Sequence, residues 1–340
     1  MRCLSLTELP PVQGTHSGWP WTEESEVLPP AMADGTPWPR VSIVTPSYNQ
    51  GQFLEETIRS VLLQGYPNLY YVVIDGGSTD GSLDVIKKYE RFLSFWVSER
   101  DGGQAQAINK GWKHAGGEVL AWINSDDIYL PGSVAKAVSY LADHQQVGMV
   151  YGEGYHIDVD GRIVERYPTE KFDADRLGDT CYICQPTTFI RRSVIEKVGP
   201  VDESLRFCMD YDLWIRISQQ SVIDYLPDYI AHSRLHEESK TIKQAVPRAR
   251  EALDMLYRHY RSVPPLKVGG YARAVLTERP SHKGEWNKLV LILAMTGVCV
   301  REFLKYNQKI PLSQMHRWGG GLLEGFSKLI KTERRQRPPD

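Results

Sequence analysis

The sequence has 340 residues, of which 41% are hydrophobic and 24% charged, and its 40 Lys and Arg against 42 Asp and Glu leave a net charge of −2. This is the balance of a soluble globular chain, large enough for one big domain with appendages or for two domains. It carries no general basic footprint, so nucleic-acid binding finds no support.

Residues 1–39 are rich in Pro, Trp, Glu and Thr, show little periodicity, and lack the continuous apolar core of a targeting signal. They are expected to form an N-terminal surface extension, partly disordered. The organised domain opens at Arg40. Val41–Val44 reads as a short strand ending in Thr45-Pro46-Ser47-Tyr48-Asn49. Phe53, Leu54, Ile58, Val61 and Leu62 then follow at helical spacing, with Gly65 and Pro67 as the stop. Tyr70–Ile74 is a second strand and runs into the turn-rich Asp75-Gly76-Gly77-Ser78-Thr79-Asp80-Gly81. A helix carrying Leu83, Ile86 and Tyr89 leads to a short strand over Phe92–Val97. The loop Ser98–Gln104 precedes a helix from Ala105 to His114.

Val119–Ile123 is a five-residue, largely apolar run that ends in Asn124-Ser125-Asp126-Asp127. Such a run reads as a buried strand with its polar residues at the carboxyl end. Adjacent carboxylates repel unless water or a cation offsets the repulsion. Mg²⁺ is usually held by one or two carboxylates plus substrate phosphates, so the pair is a candidate metal–diphosphate site. The same residues also suit a solvated turn capping the next helix. A helix with Val134, Val138 and Leu141 and a strand over Val147–Tyr151 complete a β-α-β-α-β-α-β order. Short connections in that order imply a mostly parallel sheet covered on both faces, with ligands beyond the carboxyl ends of its strands.

Further on, Tyr155–Val164 has the pattern of a hairpin turning at Asp160-Gly161. Gln185–Ile190 reads as a strand and Asp210–Gln219 as a helix with Leu213, Trp214 and Ile217 inward. Ile223–Leu226 and Tyr229–Ser233 read as two strands and Leu235–Ser239 as a polar loop. Beyond Lys243 the chain is helical, and its last residues are basic. Five cysteines are too few, and odd in number, for a disulfide scaffold. Cys181 and Cys184 form a lone Cys-x-x-Cys and read as ordinary thiols rather than a zinc site.

Several side chains are candidates for chemistry, each with a plainer alternative. Asp75 can accept from a ribose hydroxyl or a base N–H, or start an Asx-turn. Asp210 can cap its helix or act as a general base if the helix end faces a pocket. His236 can be solvated, or serve as a metal ligand or diphosphate donor. The glycine spacing after Asp75 fits neither a P-loop nor a dinucleotide fingerprint.

Taken in order, Val41–Asn49, Ile74–Ser82, Ser98–Gln104 with Ala107–Gly111, Asn124–Asp127 and Met209–Trp214 resemble a family-2 glycosyltransferase of the GT-A fold, from about Arg40 to Lys240. The resemblance implies an α/β, GT-A-type, mostly parallel sheet sandwiched by helices. It divides the chain into residues 1–39, a catalytic domain over 40–242 and a helical C-terminal extension over 243–340. It implies sugar transfer from a nucleotide-diphosphate donor to an acceptor hydroxyl, with inversion by direct displacement and Mn²⁺ or Mg²⁺ as cofactor. Thr45, Pro46 and Asn49 would line the base and ribose pocket, with Asp75 holding the base. Gln104 and Asn109 would face the donor, and Asp126 would contact ribose or sugar. Asp127 would bind the metal, with His236 near the diphosphate, and Asp210 would take the proton from the attacking hydroxyl. Two positions depart from the family: Asn124 stands where an acid is usual, and Met209 where Glu commonly precedes the base.

The implied acceptor is a saccharide or lipid-linked saccharide, in polysaccharide, lipopolysaccharide or other glycoconjugate synthesis. The expected location is the cytoplasm; the apolar faces of the C-terminal segment, with basic residues nearby, suit ordinary packing against the catalytic domain or a second subunit, the favoured alternative, or peripheral contact at the inner face of the cell membrane. The run Leu289–Val300 is shorter than the roughly 20 residues that span a bilayer. Two rival readings stand beside this one. A nucleotidyltransferase would need a basic triphosphate loop, yet Thr45–Gln52 contains no Lys or Arg. A catalytically silent sugar-nucleotide-binding or scaffold protein of the same fold is the alternative.

Overall fold

The computed structural model describes residues 3–12, 14, 16–236, 244–278 and 288–309. The chain divides into two compact units, residues 1–177 with 181–239, and residues 178–180 with 240–340.

In the first unit, nine strands among the described residues form one sheet. Four parallel strands make its N-terminal half: β1 (Val41–Ser47), β2 (Leu69–Asp75), β3 (Phe95–Ser98) and β4 (Val119–Trp122). They lie in the order β3-β2-β1-β4. Buried on both faces, β1 and β4 are the near-continuous apolar runs such a sheet requires. The crossover connections carry α1 (Gly51–Leu62), α2 (Ser82–Tyr89) and α3 (Gln104–His114). The inward stripe of α1 is Phe53, Leu54, Ile58, Val61 and Leu62, as its spacing predicts. Gly111 lets α3 approach β1: a Cβ there would lie 2.5 Å from the Val44 side chain.

The second half of the sheet is mixed. It holds β5 (Ile128–Tyr129), β6 (Val147–Ile157), β7 (Ile163–Arg166), β8 (Phe189–Arg191) and β9 (Val222–Arg234). From β4 the order runs β8-β6-β9-β5, with β7 paired to β6. The two strands expected at 223–226 and 229–233 are one long strand, carried by register shifts against β6. The hairpin turns where expected, with Gly161 at φ 81°. Helices α4 (Ser133–Asp143), α5 (Ala174–Asp179), α6 (Arg192–Val198) and α7 (Met209–Ser218) complete the order. This is the α/β architecture predicted from sequence.

The N-terminal segment differs from the expected loose extension. Leu4, Leu9 and Trp38 join the main hydrophobic cluster. The buried Arg59 guanidinium donates to the carbonyls of Pro10, Pro20 and Trp21 at 3.0–3.2 Å. A segment without periodicity is thus fixed by aromatic anchors and by one cation that gathers its carbonyls.

The second unit contains α8 (Ala245–Tyr260), α9 (Pro265–Glu278) and α10 (Lys288–Asn307). Leu253 and Leu256 are buried there, and Arg250 pairs with Glu302 at 2.6 Å over the Tyr271 ring. The basic residues expected near the chain end lie outside the described residues.

Candidate active site

The carboxyl ends of β1, β2, β3 and β4 meet along one edge, and their loops are stitched together. The Asn49 N–H donates to Ser78 Oγ and the Thr79 N–H to Asn49 Oδ1, both at 2.8 Å. Asn49 is held at φ 52°, a left-handed conformation that Asn tolerates better than most residues. Gln104, the first residue of α3, donates to Asn124 Oδ1 at 2.5 Å. Asn124 in turn donates to Asp127 Oδ2 at 3.0 Å and to Gln185 Oε1 at 3.1 Å. A chain of amides therefore occupies the place of the absent acid.

Beside these amides, Asp126 Oδ2 lies 2.9 Å from His236 Nε2. The His236 side chain is 3% exposed and that of Asp126 18%, so the carboxylate is the accessible partner. His236 Nδ1 is buried without a hydrogen-bond partner. The Phe53 ring lies 5.1 Å from the imidazole.

Asp127 has a different environment. It is 3% exposed, and it accepts from the Arg234 N–H at 3.0 Å and from the Asn124 amide. Burial, and then the charge of Asp126, push its carboxyl well above the usual range, against the opposing pull of Arg234 and Asn124. Asp127 was expected to bind the metal together with His236, but both of its oxygens already accept from protein donors, Oδ1 from the Arg234 N–H and Oδ2 from the Asn124 amide. The residues that fit a divalent ion are Asp126 and His236: one partly accessible carboxylate and one imidazole, the sparse oxygen and nitrogen set that leaves room for substrate phosphates. Among the described residues no group of three His, Cys, Asp or Glu side chains gathers to hold a metal.

Three other expected contacts lie behind the surface. Thr45 is fully buried, and its hydroxyl pairs with Tyr71 at 2.9 Å. Asp75 is fully buried too; its carboxylate accepts from the Gly77 and Ser78 N–H groups and from the Ser78 and Ser98 hydroxyls. The Gly77 N–H bond makes an Asx-turn, and Gly77 at φ 81° completes it. Asn109 is 3% exposed and holds Val201 and Glu203 rather than facing the strand ends. Pro46 is buried within β1, beside these loops.

Asp210 stands in the first turn of α7, half-buried. Its neighbour Asp212 is buried and paired with Arg216 at 2.8 Å, which leaves Asp210 as the more accessible acid. Packing fixes α7 to the sheet: Trp214 stacks on Trp122 of β4 at 5.4 Å, and Trp122 meets Trp112 of α3 edge-on at 5.6 Å. Burial, and then the charges of Cys181 and Cys184 ahead of those of Asp210 and Asp127, raises the Tyr167 hydroxyl well above its ordinary range.

Sequence reasoning missed Arg234 and Gln185. Arg234 stood two places before His236 in a stretch read as strand end and polar loop. Gln185 lies far from every motif, and only the fold brings it to Asn124.

Residues 42–199 match the family described as Glycosyl transferase family 2. An uncharacterised glycosyltransferase of Rickettsia typhi is 29% identical over 218 residues, covering 62% of this chain and 68% of that protein. TuaG of Bacillus subtilis, a putative teichuronic acid biosynthesis glycosyltransferase, is 28% identical over 213 residues, covering 60% of this chain and 82% of that protein. The chain spans only 35% and 36% of two longer relatives from Rickettsia conorii and Rickettsia felis. Among solved structures, S. aureus TarS 1–349 in complex with UDP-GlcNAc aligns with a TM-score of 0.55 at 18% identity, over 76% of this chain and 80% of that one. The mannosyltransferase PcManGT from Pyrobaculum calidifontis, in complex with GDP-Man and Mn²⁺, aligns at 0.53 and 19% identity, over 92% and 86%. At such identities the structural likeness is one of fold, and the fold is GT-A.

Proposed function

We propose that this chain, a member of glycosyltransferase family 2 through its residues 42–199, moves a sugar from a nucleoside-diphosphate donor to an acceptor hydroxyl with inversion. The observation that carries the reading is the Asp126–His236 pair at 2.9 Å, at the strand edge where α/β folds bind ligands. The pair would hold Mn²⁺ or Mg²⁺. When bound, such an ion offsets charge on the leaving diphosphate.

The protein's own part is to bind, orient and move one proton. Asn49 and Gln104 line the donor loops, while Thr45, Pro46 and Asp75 support them from behind. Asp210 takes the proton from the attacking acceptor hydroxyl. A single displacement needs one base opposite the leaving group and no covalent nucleophile, which suits one accessible acid on α7.

The product class we favour is a cell-surface polysaccharide, with a saccharide or lipid-linked saccharide as acceptor; the likeness to TuaG supports this. No helix among the described residues is long and apolar enough to cross a membrane. Peripheral contact is supported by α10, where Leu293, Met295 and Leu304 are 55%, 36% and 42% exposed beside Arg301 and Lys305. The test is transfer of labelled sugar from UDP- and GDP-linked donors by the wild-type chain and by Asp210→Asn. Transfer lost in the variant supports the reading, and nucleotide binding without transfer by wild type would favour the silent alternative.

A further inference from the structure

Arg234 closes β9, and its side chain is 1% exposed. A buried guanidinium is costly to desolvate and is tolerated only when its donors are used. Here all three nitrogens are engaged. Nε donates to the Asp126 carbonyl at 2.9 Å. Nη1 donates to the carbonyls of Asp158 and Val159 at the hairpin between β6 and β7, at 2.9 and 3.1 Å. Nη2 pairs with Glu56 of α1 at 2.6 Å, and the guanidinium lies 4.7 Å from the Phe53 ring centre. The same residue's backbone N–H reaches Asp127 Oδ1.

One residue therefore binds both members of the acidic pair, Asp126 through its carbonyl and Asp127 through its carboxylate. It stands two places before His236, whose ring must meet Asp126. Phe53 touches both Arg234 and His236. The guanidinium's planar fork serves three separate directions at once, which the point charge of lysine cannot do.

We propose that Arg234 is a positioning residue that sets the separation of Asp126 and His236 and so tunes their affinity for a divalent cation. The proposal rests on the reading of that pair as a metal site. Groups that orient metal ligands typically change metal affinity by 10- to 100-fold when mutated.

The structure contains a matched control. Arg59 is equally buried, also binds three carbonyls and an acid-linked partner, Tyr89, and none of its hydrogen bonds reaches Asp126, Asp127 or His236. The experiment is titration of MnCl₂ into the full chain, followed by electron paramagnetic resonance, with melting temperature in parallel, for wild type, Arg234→Lys and Arg59→Lys. Both variants should melt lower. Arg234→Lys should bind Mn²⁺ about 10-fold or more weakly, and Arg59→Lys should stay within about 2-fold of wild type. Should Arg234→Lys fail to fold, Glu56→Gln removes the counter-ion while keeping its shape and should weaken Mn²⁺ in the same direction. Equal Mn²⁺ affinity in wild type and the Arg234 or Glu56 variant would overturn the proposal and leave the metal site standing. No Mn²⁺ binding by folded wild type would overturn both.

Discussion

Asp126 and His236 are 110 residues apart in the chain and 2.9 Å apart in space. Asp126 follows the first half of the sheet and His236 the last strand of the second, so the pair exists only when both halves have folded around β4 and β9. Its neighbour Asp127 is turned inward by the same corner: the Asp127 N–H closes a turn onto the Asn124 carbonyl at 3.1 Å, and Thr57 binds the Asp127 carbonyl at 2.8 Å.

The two acids should therefore answer mutation differently. Asp127→Ala leaves the Arg234 N–H and one N–H of the Asn124 amide without an acceptor, and stranded buried donors cost about 1–3 kcal/mol. Denaturant unfolding should show that loss for Asp127→Ala, and a much smaller one for the partly exposed Asp126→Ala. Equal losses would contradict the division of roles.

Asp210 and Asp212 form a second contrast. Asp210→Asn should lower kcat by about 10²- to 10⁴-fold, the usual reach of a general base, with a small change in donor KM and in melting temperature. Asp212→Asn breaks the buried pair with Arg216 and should chiefly lower the melting temperature. Steady-state kinetics and thermal melts on the two variants check this, and the opposite pattern would reassign the base.

His232 supplies a pH dependence away from the acidic pair. Burial, and then the Arg234 charge, bring its imidazole from an ordinary 6.5 down to about 4. Between those values the unfolded chain takes up a proton that the folded imidazole does not, so stability falls as pH drops through this window and is fully present above it. Urea titrations from pH 7 to pH 4 should show a slope that flattens in His232→Gln. An unchanged slope would place the acid sensitivity elsewhere.

Surface attachment has its own test. Leu304 is 42% exposed on α10, one residue before Lys305. Leu304→Glu should weaken sedimentation with anionic-lipid vesicles and leave the melting temperature nearly unchanged, because the site is already in water. Undiminished binding by this variant, or none by wild type, would remove the membrane proposal.

Much of the fold was legible because the parallel half follows simple rules. Val41–Val44 and Val119–Ile123 are apolar runs, the α1 stripe has helical spacing, and the loops between them are short. The mixed half was less legible. A strand such as β9 with bulges looks like two strands with a gap, and the two-residue β5 has no pattern of its own. The residues of the candidate site stand out by their motifs, but how each packs within them does not. Spacing cannot tell which of two adjacent acids turns inward, and Asp127 does so because Arg234, 107 residues later, offers it an N–H. Asp75 and Asn109 likewise carry motif positions while serving their own loops. The N-terminal segment was misread because its order comes from Arg59, a residue outside it.

The most direct test of the account is a thermal-shift panel with UDP, GDP, dTDP and CDP, each with and without Mn²⁺, on wild type and Asp126→Ala. A nucleotide at about 100 times its dissociation constant should stabilise the folded chain by roughly 2.7 kcal/mol. The account predicts a Mn²⁺-dependent shift with one nucleotide in wild type and its loss in Asp126→Ala. A shift of the same size in Asp126→Ala, or none with any nucleotide in folded wild type, would contradict it.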